Sequence, residues 1–77
     1  MVAAVSGRPL VGTPDEEFAS EARIVGSHAR DMMNDGSWSR GKADAEIYRD
    51  AHRLASVYGL SVVRFIELAD AASRGNT

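Results

Sequence analysis

The stretch Leu54-Ala55-Ser56-Val57-Tyr58-Gly59-Leu60-Ser61-Val62-Val63-Arg64-Phe65-Ile66 constrains the fold of this chain more than any other segment. One apolar stripe of helical period runs into Gly59, and a second begins just after Ser61, with Leu60 between them. A glycine at the end of such a stripe takes the left-handed conformation that closes a helix, and the apolar residue after it packs back on the last turn. A serine accepts a hydrogen bond from a first-turn N–H and so opens the next helix. Two helices therefore meet at a tight corner. A chain of 77 residues has room for one small domain built around it.

The remaining pattern supplies a third helix ahead of that corner. In Thr13-Pro14-Asp15-Glu16, Thr13 can cap, Pro14 suits the first helical position and Glu16 completes a capping box. Phe18, Ala22, Val25, Ala29 and Met32 then recur at steps of four and three, one stripe down a helix. Asn34-Asp35-Gly36 stops it. Ile24 lies off the stripe, among Ser20, Ser27, His28 and Asp31; an isolated exposed isoleucine is usually without consequence, the alternative being a contact point. Ser37 to Gly41 is a connection containing Trp38, with Met32 and Met33 as core filler nearby. From Lys42 onward Ala43, Ile47, Ala51, Leu54 and Tyr58 form a second buried stripe, widened by Tyr48 and Ala55. Val62, Phe65, Ile66, Leu68, Ala69 and Ala72 form the third, opposite Arg64, Glu67, Asp70 and Arg74.

The expected architecture is all-α, with three helices over about 14–34, 40–58 and 61–74 and no strand. Helix one packs across the other two through Phe18, Val25 and Met32. Residues 1–12 read as an irregular arm, broken by Gly7, Pro9 and Gly12 and made sticky by Val2, Val5, Leu10 and Val11. The arm is either flexible or ordered by a partner. Residues 13–77 are the domain.

With no cysteine there is neither a disulfide nor a thiolate zinc site. No apolar run approaches the roughly 20 residues that span a bilayer. Val2-Ala3-Ala4-Val5 is too short for the core of a signal peptide, so a cytoplasmic protein is expected. His28 and Asp31 share a helical face, but no third metal ligand accompanies them. No nucleophile–base pair and no phosphate loop appears, so neither an enzyme, nor a cofactor, nor a small-molecule substrate is expected.

Over Ala51 to Asp70 the chain resembles the helix-turn-helix superfamily. Ala55 stands where that family favours a small residue and Gly59 where it favours a turn glycine. Leu54, Tyr58, Leu60, Phe65 and Leu68 take its buried apolar places. The resemblance implies that the third helix enters the major groove. Ser61, Val62, Val63, Ile66, Glu67 and Asp70 would then face the bases, with Arg64 the sole guanine reader.

Charge complicates that implication. The chain carries a net −2, and residues 1–38 hold six acids against three arginines. Residues 39–64 hold Arg40, Lys42, Arg49, Arg53 and Arg64 against Asp44, Glu46 and Asp50, a mildly basic middle. Two functions are therefore expected in competition. One is a small bacterial or phage transcription regulator that binds DNA. The other is a protein-interaction module, such as a phage-encoded inhibitor or an accessory subunit, that does not. The DNA- or partner-binding residues are Trp38, Arg40, Lys42, Arg49, Arg53, Ser61, Val63, Arg64 and Glu67, and a homodimer is within either reading.

Overall fold

The computed structural model describes residues 14–75, so the arm and the Thr13 cap lie outside the described residues. Three helices follow in order: α1 (Pro14–Asn34), α2 (Arg40–Tyr58) and α3 (Val62–Ser73). Among the described residues there is no strand, and no helix is long and apolar enough to cross a membrane.

Each end has a chemical cause. Pro14 opens α1, and Asp15, Glu16 and Glu17 occupy its first turn, where carboxylates meet the positive end of the helix dipole. The chain leaves α1 through Gly36 at φ +85°. There Ser37 and Trp38 both donate backbone N–H bonds to the Met32 carbonyl. Asp35 Oδ1 also accepts from the Ser37 N–H at 2.8 Å. Helix α2 begins earlier than its apolar stripe, because Ser39 caps it by accepting from the Lys42 N–H at 3.1 Å. Arg40 and Gly41 thus belong to its first turn, as the 40–58 bounds expect, and the connection ends at Ser39 rather than at Gly41.

At the far end of α2, Gly59 adopts φ 69° and donates to the Ala55 carbonyl at 2.8 Å, and Leu60 donates to the same oxygen at 3.1 Å. Ser61 then caps α3 by accepting from the Arg64 N–H at 3.3 Å. The corner expected between Leu54 and Ile66 is therefore present, with three residues between the helices.

Phe18, Ala22, Ala29, Ala43, Ile47, Ala51, Leu54, Ala55, Phe65 and Ala69 form one buried cluster. Its centre is aromatic. Phe18 and Phe65 are fully buried with ring centres 5.4 Å apart, and Tyr58 packs on Phe18 at 5.6 Å. Tilted rings at such separations add to what area burial alone contributes.

The α1–α3 interface is the most extensive, and a glycine makes it so. A Cβ placed on Gly26 would lie 2.2 Å from the Ala69 carbonyl oxygen and 2.7 Å from the Ala72 Cβ. Only a residue without a side chain lets the two backbones approach this closely. Ala19, Ala22 and Ala29 flank it with small buried side chains. Two expectations are corrected here. Met33, not Met32, packs on the core cluster; Met32 is half-buried. Tyr48 does not widen the α2 stripe: it is 58% exposed and stacks edge-on against His52 at 4.4 Å.

Candidate functional site

The basic residues of the middle segment are brought into register with acids. Arg40 sits at the start of α2 and reaches across to the end of α3. Its Nη2 is 2.6 Å from Asp44 Oδ1, 2.8 Å from Asp70 Oδ1 and 3.1 Å from Ser73 Oγ, and its Nη1 lies 3.9 Å from Met33 Sδ. Ser73 is itself buried and donates to the Asp70 carbonyl at 2.7 Å. Arg40 is thus a tertiary clamp between α2 and α3.

The other cations of the segment follow suit. Lys42 Nζ is 3.0 Å from Glu46 Oε2, and Arg49 binds Oε1 of the same carboxylate. Arg53 pairs with Asp50 at 3.0 Å, and Arg64 reaches back to Asp15 on α1 at 3.5 Å. The hydrogen bond from Lys42, with the Arg49 charge beside it, holds the Glu46 carboxyl below the usual glutamate range. Each of Arg40, Lys42, Arg49, Arg53 and Arg64 thus has a carboxylate partner: Arg40 has two, Asp44 and Asp70, Lys42 and Arg49 share Glu46, and Arg53 and Arg64 take Asp50 and Asp15. Asp70 also takes Arg74 at 2.9 Å.

The corner itself presents less than a groove-reading helix would. Val62 and Ile66, expected on the base-facing side, pack against the core. Ser61, Val63, Arg64 and Glu67 remain exposed, with Val63 at 63%. The expected site residues therefore fall on separate surfaces. Arg40 lies in the α2–α3 clamp, and Ser61, Val63, Arg64 and Glu67 lie on the outer side of the corner. Trp38, Lys42, Arg49 and Arg53 gather near a groove between α1 and α2.

That groove is the feature sequence reasoning missed. It holds about 180 Å³ and is lined by Ile24, Val25, His28, Ala29, Trp38, Glu46, Ile47 and Asp50. The Trp38 indole closes one end, edge-on to His28 at 5.4 Å, with Lys42 Nζ 6.0 Å from its ring centre. Ile24 forms the α1 rim and is 60% exposed. The groove is smaller than the roughly 300–1,000 Å³ of ordinary small-molecule sites, and fits a side-chain anchor better than a cofactor. Ile24 off its stripe was a signal in the sequence, and so was Trp38, expected either to cover the core between the first two helices or to form a sticky loop with Arg40 and Lys42; it packs against the core cluster. What joins them is the packing of α1 on α2, which no local pattern encodes.

Among the described residues no group of three His, Cys, Asp or Glu side chains is placed to hold a metal ion. Comparison with protein families, with curated proteins and with solved structures returns no match to this chain.

Proposed function

We propose that this chain is a small helical protein-binding module, of the kind that serves as an inhibitor or accessory subunit, and that it does not bind DNA. One observation carries the reading: each cation assigned to a phosphate-gripping role already faces a carboxylate. A phosphate backbone would have to displace those partners and then lie beside the carboxylates it displaced. Exposed ion pairs are individually weak, about 0–1 kcal/mol, so displacement alone is cheap. The repulsion that follows is not relieved, because the acids remain in the same surface. Non-specific affinity rests on roughly six to ten phosphate contacts in well-studied binders, and it falls steeply with salt. A surface whose charges cancel in pairs does not supply that number.

The α1–α2 groove favours the same conclusion. Ile24, 60% exposed, lines it together with half-buried Val25 and Trp38, an apolar surface more usual at protein contacts than at a phosphate-facing one. A cytoplasmic location accords with this role and with a cysteine-free chain.

The DNA-binding regulator is retained as the second reading because of the corner: Gly59 and Ser61 shape it and leave Val63, Arg64 and Glu67 outward. Fluorescence anisotropy of a labelled random duplex at about 50 mM salt separates the two, since the non-specific electrostatic term is strong there. No binding is expected at protein concentrations up to about 100 μM, the weak end of non-specific affinities. Saturable binding that weakens linearly with the logarithm of salt would overturn the proposal.

A further inference from the structure

We propose that the α1–α2 groove is the seat of the chain's own N-terminal arm: residues 1–12 run back along the seam between the two helices and place Val5 against Ile24 and Trp38. In the protein-binding function proposed above, a partner that uses the groove must then displace the arm first. The seat of the arm does not itself depend on that function.

The direction in which the chain enters α1 sets the geometry. Phe18, near the start of α1, packs on Tyr58 at the end of α2 with ring centres 5.6 Å apart, and Trp38 closes the other end of the seam. Pro14 therefore stands at the Tyr58 end. Side chains about two turns apart, roughly seven residues, share one row on a helix. Pro14 and Glu21 stand in the row of His28, Glu17 in the row of Ile24, and Val57 in the row of Asp50. His28, Ile24 and Asp50 all line the groove. The arm is thus delivered to the side of α1 that holds the groove, with Val57, Glu17 and Glu21 on the way. Ile24 and His28 lie about 15 and 21 Å along α1 from Pro14. From Val5 to Pro14 an extended chain spans up to about 30 Å, so the groove is within reach.

The surfaces on this path match the arm in order. Val57 and Ile24 leave apolar side chains 73% and 60% exposed. Between them, Glu17 and Glu21 have no charged partner among the described residues. Arg8 is the single charged residue of 1–12, with Leu10 and Val11 on one side of it and Val2 and Val5 on the other. Running back from Pro14, the arm brings Leu10 and Val11 to Val57, Arg8 to Glu17 and Glu21, and Val5 to the groove. Glu46 and Asp50 on the α2 rim already hold Lys42, Arg49 and Arg53 and call for no further cation. Tethering gives this arm an effective concentration of about millimolar, which the arm of a second copy reaches only when the protein is that concentrated.

Nuclear Overhauser contacts in the full chain read the seat directly. Contacts are expected from the Val5 methyls to Ile24 and Trp38, and from Leu10 or Val11 to Val57. Isotope-filtered spectra of mixed labelled and unlabelled chains should place them within one chain. Val5→Asp should abolish the contacts to Trp38 and move the emission of Trp38, the only tryptophan, to longer wavelength, with circular dichroism verifying that the helices are retained. Arg8→Glu sets a third carboxylate beside Glu17 and Glu21 and should lower the seated population up to about fivefold, the scale of an exposed pair. Adding Glu17→Arg and Glu21→Arg should restore it.

No contact between residues 1–12 and the seam, contacts only between chains, a Trp38 emission indifferent to Val5→Asp, or no rescue by the reversed charges overturns the inference. Duplex binding removes the protein-binding function and leaves the seat of the arm standing; absent contacts without duplex binding remove the seat alone.

Discussion

Two glycine-to-alanine substitutions, both inside helices, should move stability in opposite directions. In a helix interior alanine is favoured over glycine by about 0.8–1 kcal/mol. At Gly26 the new methyl would stand 2.2 Å from the Ala69 carbonyl oxygen, 2.7 Å from the Ala72 Cβ and 2.9 Å from the Ala69 carbonyl carbon. Ordinary contact begins near 3.4 Å, so α1 and α3 must separate by about 1.2 Å at that level. Two of the obstructing atoms are backbone and cannot rotate away. Overpacking of this kind costs typically about 1–3 kcal/mol, and a backbone obstruction belongs at the upper end. Against the propensity gain, Gly26→Ala should lose about 2 kcal/mol.

At Gly41 a methyl meets only Ser39 Oγ at 3.8 Å, an unstrained distance, in the first turn of α2. Gly41→Ala should gain up to about 1 kcal/mol. Urea unfolding followed by circular dichroism measures both. Thermal midpoints should fall by roughly 8–16 °C for Gly26→Ala and rise by a few degrees for Gly41→Ala, at about 4–8 °C per kcal/mol for a domain of this size. A Gly26→Ala protein as stable as the parent would mean that the two helices do not meet through this residue, and the packing argument would fail with it.

Three further outcomes follow from the same contacts. Phe65→Ala removes a fully buried ring in contact with Phe18 and should cost about 3–5 kcal/mol, enough to leave a domain this small largely unfolded by circular dichroism and proteolysis. A double-mutant cycle on Arg40→Ala and Asp70→Ala should give a coupling of about 0.5–1 kcal/mol, because the pair is charged and hydrogen-bonded but still partly screened by water; zero coupling would mean that Arg40 does not clamp α2 to α3. The Glu46 carboxyl is depressed in the folded state, first by the Lys42 hydrogen bond, so its contribution is present above its ordinary value of 4.5 and is lost as pH falls below that. Stability measured from pH 6 down to pH 3 should therefore decline less in Glu46→Gln than in the parent.

The helices were legible because their determinants are local. Gly59, Leu60 and Ser61 lie within one turn of the ends they shape, and the stripes of Phe18, Ile47 and Phe65 repeat at the helical period. Gly26 was not legible, since a mid-helix glycine reads as a weak point until a second backbone is seen against it. Met32 and Met33 show the limit of a stripe. A 3.6-residue period drifts along 21 residues, and by the last turn the neighbouring position faces the core. Ser39 was hidden for a related reason. The first turn of α2 carries Arg40, Gly41 and Lys42, none of them apolar, so periodicity starts a turn after the helix does.

The charged surface shows why the functional reading moved while the fold did not. Within residues 39–64 the count of five cations against three acids is correct, but charges act through distance and not through sequence windows. Asp70 enters from α3 to meet Arg40, and Asp15 enters from α1 to meet Arg64. Both lie outside the window, and with them every cation of the window has a carboxylate beside it. Folding therefore converts a mildly basic segment into one whose cations are each paired with a carboxylate. A duplex, with the same sign of charge along both strands, would have to displace those carboxylates before it gained a phosphate contact.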